Sequence, residues 1–494
     1  FHKTRYTTQQ MVYLDLKAPE TLDVDLEAQL VGVASNQCLE NLANISLIRK
    51  QVVGKLKQTP QEGIEILQSY LPSLVTLATQ EAKADSWLPS GGAFRFLWNS
   101  SVGRNCLSKL KKGKEKDFHA YTTASAELSH AMFTFGLLYY KSAGNILVDI
   151  PALEASEGDI QAENRATARA EAVKLFRIAA GIWEATKPNE NVDSLHPLDV
   201  RAATLTALQH MALANAQEIA VDIAEEKPNS SPTLLARLCL GIAEKFSGIR
   251  KNLGQGLGNH FHSLRQSWNL YLKFKAELYD ALARYHLSKV CHAEAKYGEQ
   301  IKFLEIAKSM MGAIKAPDDS SGVFEAIKGR TKRELLRIQA ALVEAKSDND
   351  KVYFMPIPQE VEMMDSSKFV FMMKVEQFVQ IQPLEFVLLE KQPVQEAKTE
   401  AAGNLSNLQS GLADMSLQQQ IPQMQMPQMP QMPQMPQMPQ MPQMPQPQMP
   451  QQPQMAQSNA RVFACASCQS HFSVDCPPNT CVRCPFCSKD NMIL

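Results

Sequence analysis

The sequence predicts a mainly α protein: a long array of helices, then a disordered low-complexity linker, then a small zinc ribbon. Three observations carry this reading. Apolar residues recur at helical spacing through most of residues 1–392. Residues 393–460 are nearly chargeless and carry a Pro-Gln-Met repeat. Residues 461–494 hold six of the ten cysteines. The expected domains are therefore 1–392, 393–460 and 461–494.

Within the first region, Val12 to Leu16 reads as a short strand. Thr59-Pro60-Gln61-Glu62 is a helix start, with a Thr cap, Pro at the first position and Glu at the third. The helix it opens carries Ile64, Ile66, Leu67, Tyr70, Leu71 and Leu74. Phe94 to Trp98 is β-like and aromatic. Residues 124–140, 166–183 and 200–223 read as long helices, Ser231-Pro232 opens another, and 264–291, 297–314 and 323–346 complete the array. In the helix from Tyr297, the residues Ile301, Leu304, Ala307 and Met311 continue one apolar face. Asp348, Asn349 and Asp350 are expected to break the last helix, and Pro356 and Pro358 to force an extended exit. Antiparallel helix pairs stacked in series fit this order. No repeat of fixed period appears, so a textual repeat family is not indicated.

Composition narrows the function classes. A net charge of −1 over 494 residues implies no global attraction to nucleic acid or anionic membrane. The apolar run Ala131 to Tyr140 is far short of the ~20 residues that span a bilayer, and Phe369 to Leu389 is interrupted by Lys374, Glu376 and Pro383. No signal peptide or prenylation box is visible, and the chain opens on Phe1, which leaves its start open. Cys38, Cys106, Cys239 and Cys291 read as reduced, buried thiols. Gly254-Gln255-Gly256-Leu257-Gly258 follows helical sequence and lacks the lysine of a phosphate loop. Cys476 and Arg483 are wrongly spaced for a phosphatase loop, and no nucleophile elbow is present. The expectation is a binding protein, not an enzyme. The basic run at Lys109, Lys111, Lys112, Lys114 and Lys116 reads as a solvated loop, with phospholipid contact as the functional alternative.

In the tail, Cys465-x-x-Cys468 and Cys484-x-x-Cys487 have the pairing and spacing of a four-thiolate Zn(2+) site. Phe463, Phe472, Val474 and Val482 would form its small core, and the metal would supply most of the stability. Cys481-x-x-Cys484 is a competing pair, and Cys476 and His471 leave more than one ligand set open. Such a ribbon binds protein, ubiquitin or nucleic acid, and the residues do not choose among them. Between Pro422 and Pro453 prolines recur every third residue over much of the tract, matching the three residues per turn of polyproline II. It reads as a semi-rigid spacer, or as a strip for a proline-binding domain. Leu405, Leu408, Leu412, Met415 and Leu417 form a short binding helix or more linker.

Three segments carry a family resemblance: YGEQIKFLEIAKSMM at 297–311, SDNDKVY at 347–353 and LQHMALANAQEIA at 208–220. They resemble the Bro (Bro-one) domain of ALIX-type endosomal adaptors over about residues 1–390, and Phe369 to Leu389 is similar to the segment that packs back along that domain. The resemblance implies a curved, helix-rich rod with a tetratricopeptide-like core. It implies a cytoplasmic adaptor, recruited to endosomes, that docks the C-terminal helix of an ESCRT-III subunit on a hydrophobic patch. By position the patch leucines fall on Leu234 and Leu238, one helical turn apart, with Leu342 as a third candidate. The alternative for each is core packing. An aromatic position beside the patch falls on Ala220, which implies a weaker hot spot. The V-shaped coiled-coil region that follows this domain in ALIX-type proteins has no counterpart in 393–494, so its ligands are not implied.

Overall fold

The computed structural model describes residues 13–384, apart from 33, 85–93, 104–117, 155–158, 188–196, 228 and 316–321, and four short strands between 461 and 493. The expectations for residues 109–116, 405–417 and 422–453, and for the four paired cysteines of the tail, lie outside the described residues. The chain forms two compact units, Phe1–Thr399 and Glu400–Leu494.

The first unit is a mainly α, curved array. Its helices are α1 (Leu26–Leu30), α2 (Asn36–Lys55), α3 (Pro60–Ala84), α4 (Ala124–Glu154), α5 (Asp159–Thr186), α6 (Ala202–Glu226), α7 (Pro232–Leu257), α8 (Gln266–Ala293), α9 (Tyr297–Ala313) and α10 (Gly322–Asp348). Each packs chiefly on the next in the chain. Lengths from 17 to 31 residues in α2–α10 give no uniform repeat; the array shows serial pairing of neighbouring helices, and the expected tetratricopeptide-like core is not shown by it. The reciprocal cap of α3 forms as the residues predict. Glu62 N–H donates to Thr59 Oγ1 and Thr59 N–H to Glu62 Oε2, each at 3.2 Å. Ser231 Oγ accepts from Leu234 N–H and caps α7. Strand β1 (Phe96–Trp98) pairs antiparallel with β2 (His119–Tyr121), as the β-like segment foretold.

Two main cores run along the array, beside a small satellite of Ala236, Leu287, Cys291 and Phe303. The smaller joins α1–α4 and β1, and the larger joins α4–α10. Helix α4 belongs to both, with Met132 and Phe135 in one and Phe133 and Leu137 in the other. Such all-round burial explains the apolar run there without any membrane. No described helix is long and apolar enough to cross a bilayer.

Two expectations are corrected. Described residues 13–20 form no strand; Leu14 and Leu16 plug into the core, and only Thr21 bridges to Trp98. The Asp348-Asn349-Asp350 cluster does not end the helix. Residues Asn349–Tyr353 add a π-helical turn, and the break falls at Phe354, whose φ is +52°. Asn349 makes this possible by bonding Met355 twice, donating to its carbonyl at 2.9 Å and accepting from its N–H at 3.0 Å. The extended exit at Pro356 and Pro358 is present.

From Phe354 the chain runs as an extended strap back over the array, over α9, then α7, α6 and α5, to α3. Helices α5 and α7 meet it through the same residues, Leu-x-Arg-x-x-x-Gly-Ile, at Leu175–Ile182 and Leu235–Ile242. A Cβ on Gly181 would stand 1.9 Å from the Glu376 carbonyl, and one on Gly241 2.2 Å from that of Val370. Glycine is required there because the strap backbone lies against the helix. In the second unit, β3 (Arg461–Ala464) pairs antiparallel with β4 (His471–Val474), and β5 (Thr480–Arg483) with β6 (Asp490–Ile493).

Candidate partner-docking surface

Helix α6 ends where α7 begins, and α10 lies against that end. Its place is set by ion pairs. Arg330 of α10 faces Asp222 of α6 at 3.7 Å, and Arg337 faces Glu225 at 3.4 Å. Glu334 receives Arg337 at 2.9 Å and Arg330 at 3.5 Å. His286 of α8 meets Glu225 at 2.8 Å, and Lys275 pairs with Glu218. These charges are buried or nearly so, and a lattice of alternating sign offsets the cost of taking each from water. Arg169 adds a bidentate pair to Glu226 at 2.6 and 2.7 Å, fixing α5 to the end of α6.

The three leucines picked from sequence separate on this scaffold. Leu234, in the first turn of α7, is 43% exposed. Leu238 is 2% exposed and Leu342 6%, both within the larger core. Of the three, Leu234 is the one exposed to solvent. Leu238 is corrected to a core position: one turn further along, α7 is flanked by α6 and α8, and Gln217 of α6 donates to the Leu238 carbonyl at 3.3 Å. Leu342 is likewise turned inward on α10. Its neighbour Val343 is 71% exposed and Leu336, seven residues earlier, 57%. With exposed Ala340 between them, they form an apolar stripe on the outer face of α10. Sequence reasoning missed this stripe. The doublets Leu335-Leu336 and Leu342-Val343 were its signal, since adjacent residues on a helix point about 100° apart and on a helix with one buried face the second of a pair can fall outside it. Ala220 is half-buried, between the buried Ile219 and Val221 of α6, so an aromatic there would reach the surface.

The lattice predicts a pH dependence. Burial, reinforced by Glu225 and Glu218 against the pull of Arg330, lifts the Asp222 carboxyl to about 7. A carboxyl raised on folding holds more protons in the folded chain, so its contribution is complete below its ordinary value and is lost as pH rises through about 7. The Tm advantage of the wild type over Asp222→Asn should shrink between pH 5 and 8. His286, pushed down by burial, acts in the opposite sense but equally in both proteins, so it cancels from the difference. A constant difference would remove Asp222 from the titration.

Among the described residues no group of His, Cys, Asp and Glu is placed to hold a metal ion. The Gly254–Gly258 stretch lies at the end of α7, and no strand leads into it.

The sequence model of the BRO1-like domain matches residues 11–405. A vacuolar protein-sorting protein BRO1 from Gibberella zeae is 24% identical over 250 residues, covering 46% of this chain and 24% of that protein. ALG-2 interacting protein X from Dictyostelium discoideum is 28% identical over 193 residues, covering 38% of this chain and 23% of the relative. The chain thus spans about a quarter of the length of these curated relatives. Among solved structures, an ALIX BRO1 CHMP4C complex superposes with a TM-score of 0.51 at 20% identity, covering 76% of this chain and 96% of the other.

Proposed function

Because the chain belongs to the BRO1-like domain family, we propose that it is a non-enzymatic scaffold that docks the C-terminal amphipathic helix of an ESCRT-III subunit. The observations that carry this are the exposed Leu234 in the first turn of α7 and the apolar stripe of Leu336, Ala340 and Val343 on α10, the helix whose ion pairs tie it to the end of α6. An amphipathic helix binds such a surface by laying its apolar face across it. Leu238 and Leu342 support the surface from beneath. Ala220 leaves a shallow place where an aromatic would add a hot-spot contact, so affinity is modest. A titration of the full chain into a labelled ESCRT-III C-terminal peptide tests the reading. Saturable binding that Ala220→Phe tightens is expected; no binding at any reachable concentration would sink it. The scaffold would act in the cytoplasm and reach endosomes as a peripheral adaptor, with the Pro-Gln-Met tract as spacer or as a strip for a proline-binding domain.

A second reading rests on the tail. The Cys465–Cys468 pair falls between β3 and β4, and Cys484–Cys487 between β5 and β6. Two antiparallel strand pairs, each joined by a segment whose sequence carries Cys-x-x-Cys, support a zinc-ribbon reading, in which Cys481, on β5 opposite Met492, is not needed as a ligand. We infer that the tail binds one Zn(2+) and presents a surface to protein, ubiquitin or nucleic acid.

A further inference from the structure

The strap from Lys368 to Val379 uses only one of its two edges. Lys368 C=O accepts from Arg237 Nε at 2.5 Å, and Val370 N–H donates to Arg237 O at 3.1 Å. Val370 C=O accepts from Gln217 Nε2 at 2.8 Å, and Met372 N–H donates to Gln217 Oε1 at 2.7 Å. Lys374 C=O accepts from Arg177 Nε at 2.9 Å, and Glu376 N–H donates to Arg177 O at 3.1 Å. Every residue in that series is even-numbered. In an extended chain the N–H and C=O of one residue point to one side and those of the next to the other. The even groups face the helices, so the groups of Phe371, Met373, Val375 and Gln377 face away. Among the described residues none of these four has a backbone hydrogen-bond partner. The strap is therefore a strand standing on edge, held by two Arg-x-x-x-Gly helix segments and Gln217, with its outer edge open. Such an edge is a template for a second strand.

The side chains name the occupant. Along Phe371-Met372-Met373-Lys374-Val375-Glu376-Gln377-Phe378-Val379 the pattern is self-complementary about Val375. Two copies paired antiparallel around that residue set Lys374 opposite Glu376, Met372 opposite Phe378 and Phe371 opposite Val379. Registers centred on Met373 or Gln377 bring no opposite charges together and leave Glu376 against Val370 or Phe378. The centre at Val375 also pairs odd residues with odd, which is what the open edge supplies. Met372 and Val379 are 51% and 83% exposed, so apolar surface is waiting on both sides of the charge pair.

We propose that this edge is a homodimer contact, in which the straps of two copies form a two-stranded antiparallel ribbon across a two-fold axis at Val375. The contact is separate from the α6–α7–α10 surface and stands whether or not that surface binds a helix.

Sedimentation of the full chain over a range of concentrations reads the dimer directly. A reversible dimer is expected. Lys374→Glu sets like charges opposite each other twice by symmetry and should weaken it about tenfold. Val375→Pro deletes an outward N–H while sparing the strap's helix-facing hydrogen bonds, which its even-numbered residues make, and should weaken it further. Oxidation of Val375→Cys should give a covalent dimer, since residues facing each other in a hydrogen-bonded pair lie ~5.5 Å apart, within disulfide reach. In Val379→Cys the two positions lie ~27 Å apart, eight residues of strand, and should not link. Mass spectrometry of the linked peptides separates this bond from any made by native cysteines. A chain that stays monomeric overturns the proposal, and so does equal cross-linking at the two positions. A dimer insensitive to Lys374→Glu and Val375→Pro overturns it as well.

Discussion

Replacing Glu127 by alanine is expected to cost about 3–5 kcal/mol of folding stability. Glu127 and Arg49 are both fully buried, and Arg49 Nε meets Glu127 Oε1 at 3.0 Å. The same carboxylate accepts from Tyr70 Oη at 3.1 Å and from Trp98 Nε1 at 2.5 Å. Arg49 also donates to Thr21 Oγ1 at 2.7 Å and to the Leu22 carbonyl. The pair thus ties α2, α3, α4, β1 and the segment before α1 at one point. Burial opposes the charge on Arg49, but Glu127 outweighs it and raises its pKa, so removing the carboxylate strands a cation in the smaller core. Against a typical total of ~5–15 kcal/mol this is a large share. Urea unfolding should show a lower midpoint with an unchanged slope. The double replacement Arg49→Met, Glu127→Leu should recover much of the loss, because it removes both desolvation costs at similar volume. If the double variant is as unstable as Glu127→Ala, the loss comes from the Tyr70 and Trp98 donors left without an acceptor and not from the stranded charge.

Leu234→Asp and Leu238→Asp should part company. Leu234 is exposed, so an aspartate there should change stability by no more than about 0.5 kcal/mol. It places a charge in the path of an apolar helix face, and a hot-spot loss of about 2 kcal/mol or more raises the peptide Kd roughly thirtyfold. Leu238 packs in the larger core, where Leu→Ala alone costs about 2–5 kcal/mol and a carboxylate costs more. Leu238→Asp should therefore lose binding only together with its fold, seen as a collapsed Tm. Circular dichroism and the peptide titration on the same samples decide the matter. Unchanged affinity in Leu234→Asp would remove this surface from the docking role, whereas a well-folded Leu238→Asp would contradict the burial on which the division rests.

Much of the array was legible because its signals are local. The Thr59–Glu62 cap, the Ser231-Pro232 start and the apolar face from Tyr297 to Met311 each depend on residues within a few turns, and each forms where it was read. The break expected at Asp348–Asp350 fell later because Asn349 had a partner in Met355 that propensity does not register. Of the strand expected over Val12–Leu16, the described residues 13–16 are not a strand, and the bridge to Trp98 is made by Thr21.

By itself the sequence determined a helical array, a repetitive Pro-Gln-Met tract and a cysteine-paired tail, and it pointed to the family. Periodicity, caps and cysteine spacing are properties of a chain and its near neighbours, so they survive without a fold. Only the tertiary structure decided which leucine faces out. Leu234 and Leu238 share a helix face by spacing, yet α6 and α8 bury one and leave the other. It also decided the fate of Lys368–Leu384, which has no periodicity of its own. That segment is held by side chains 131 to 308 residues away, at Arg237, Gln217, Arg177 and Thr76. Burial and long-range hydrogen bonding depend on what distant segments bring alongside, and that is settled only when the array closes.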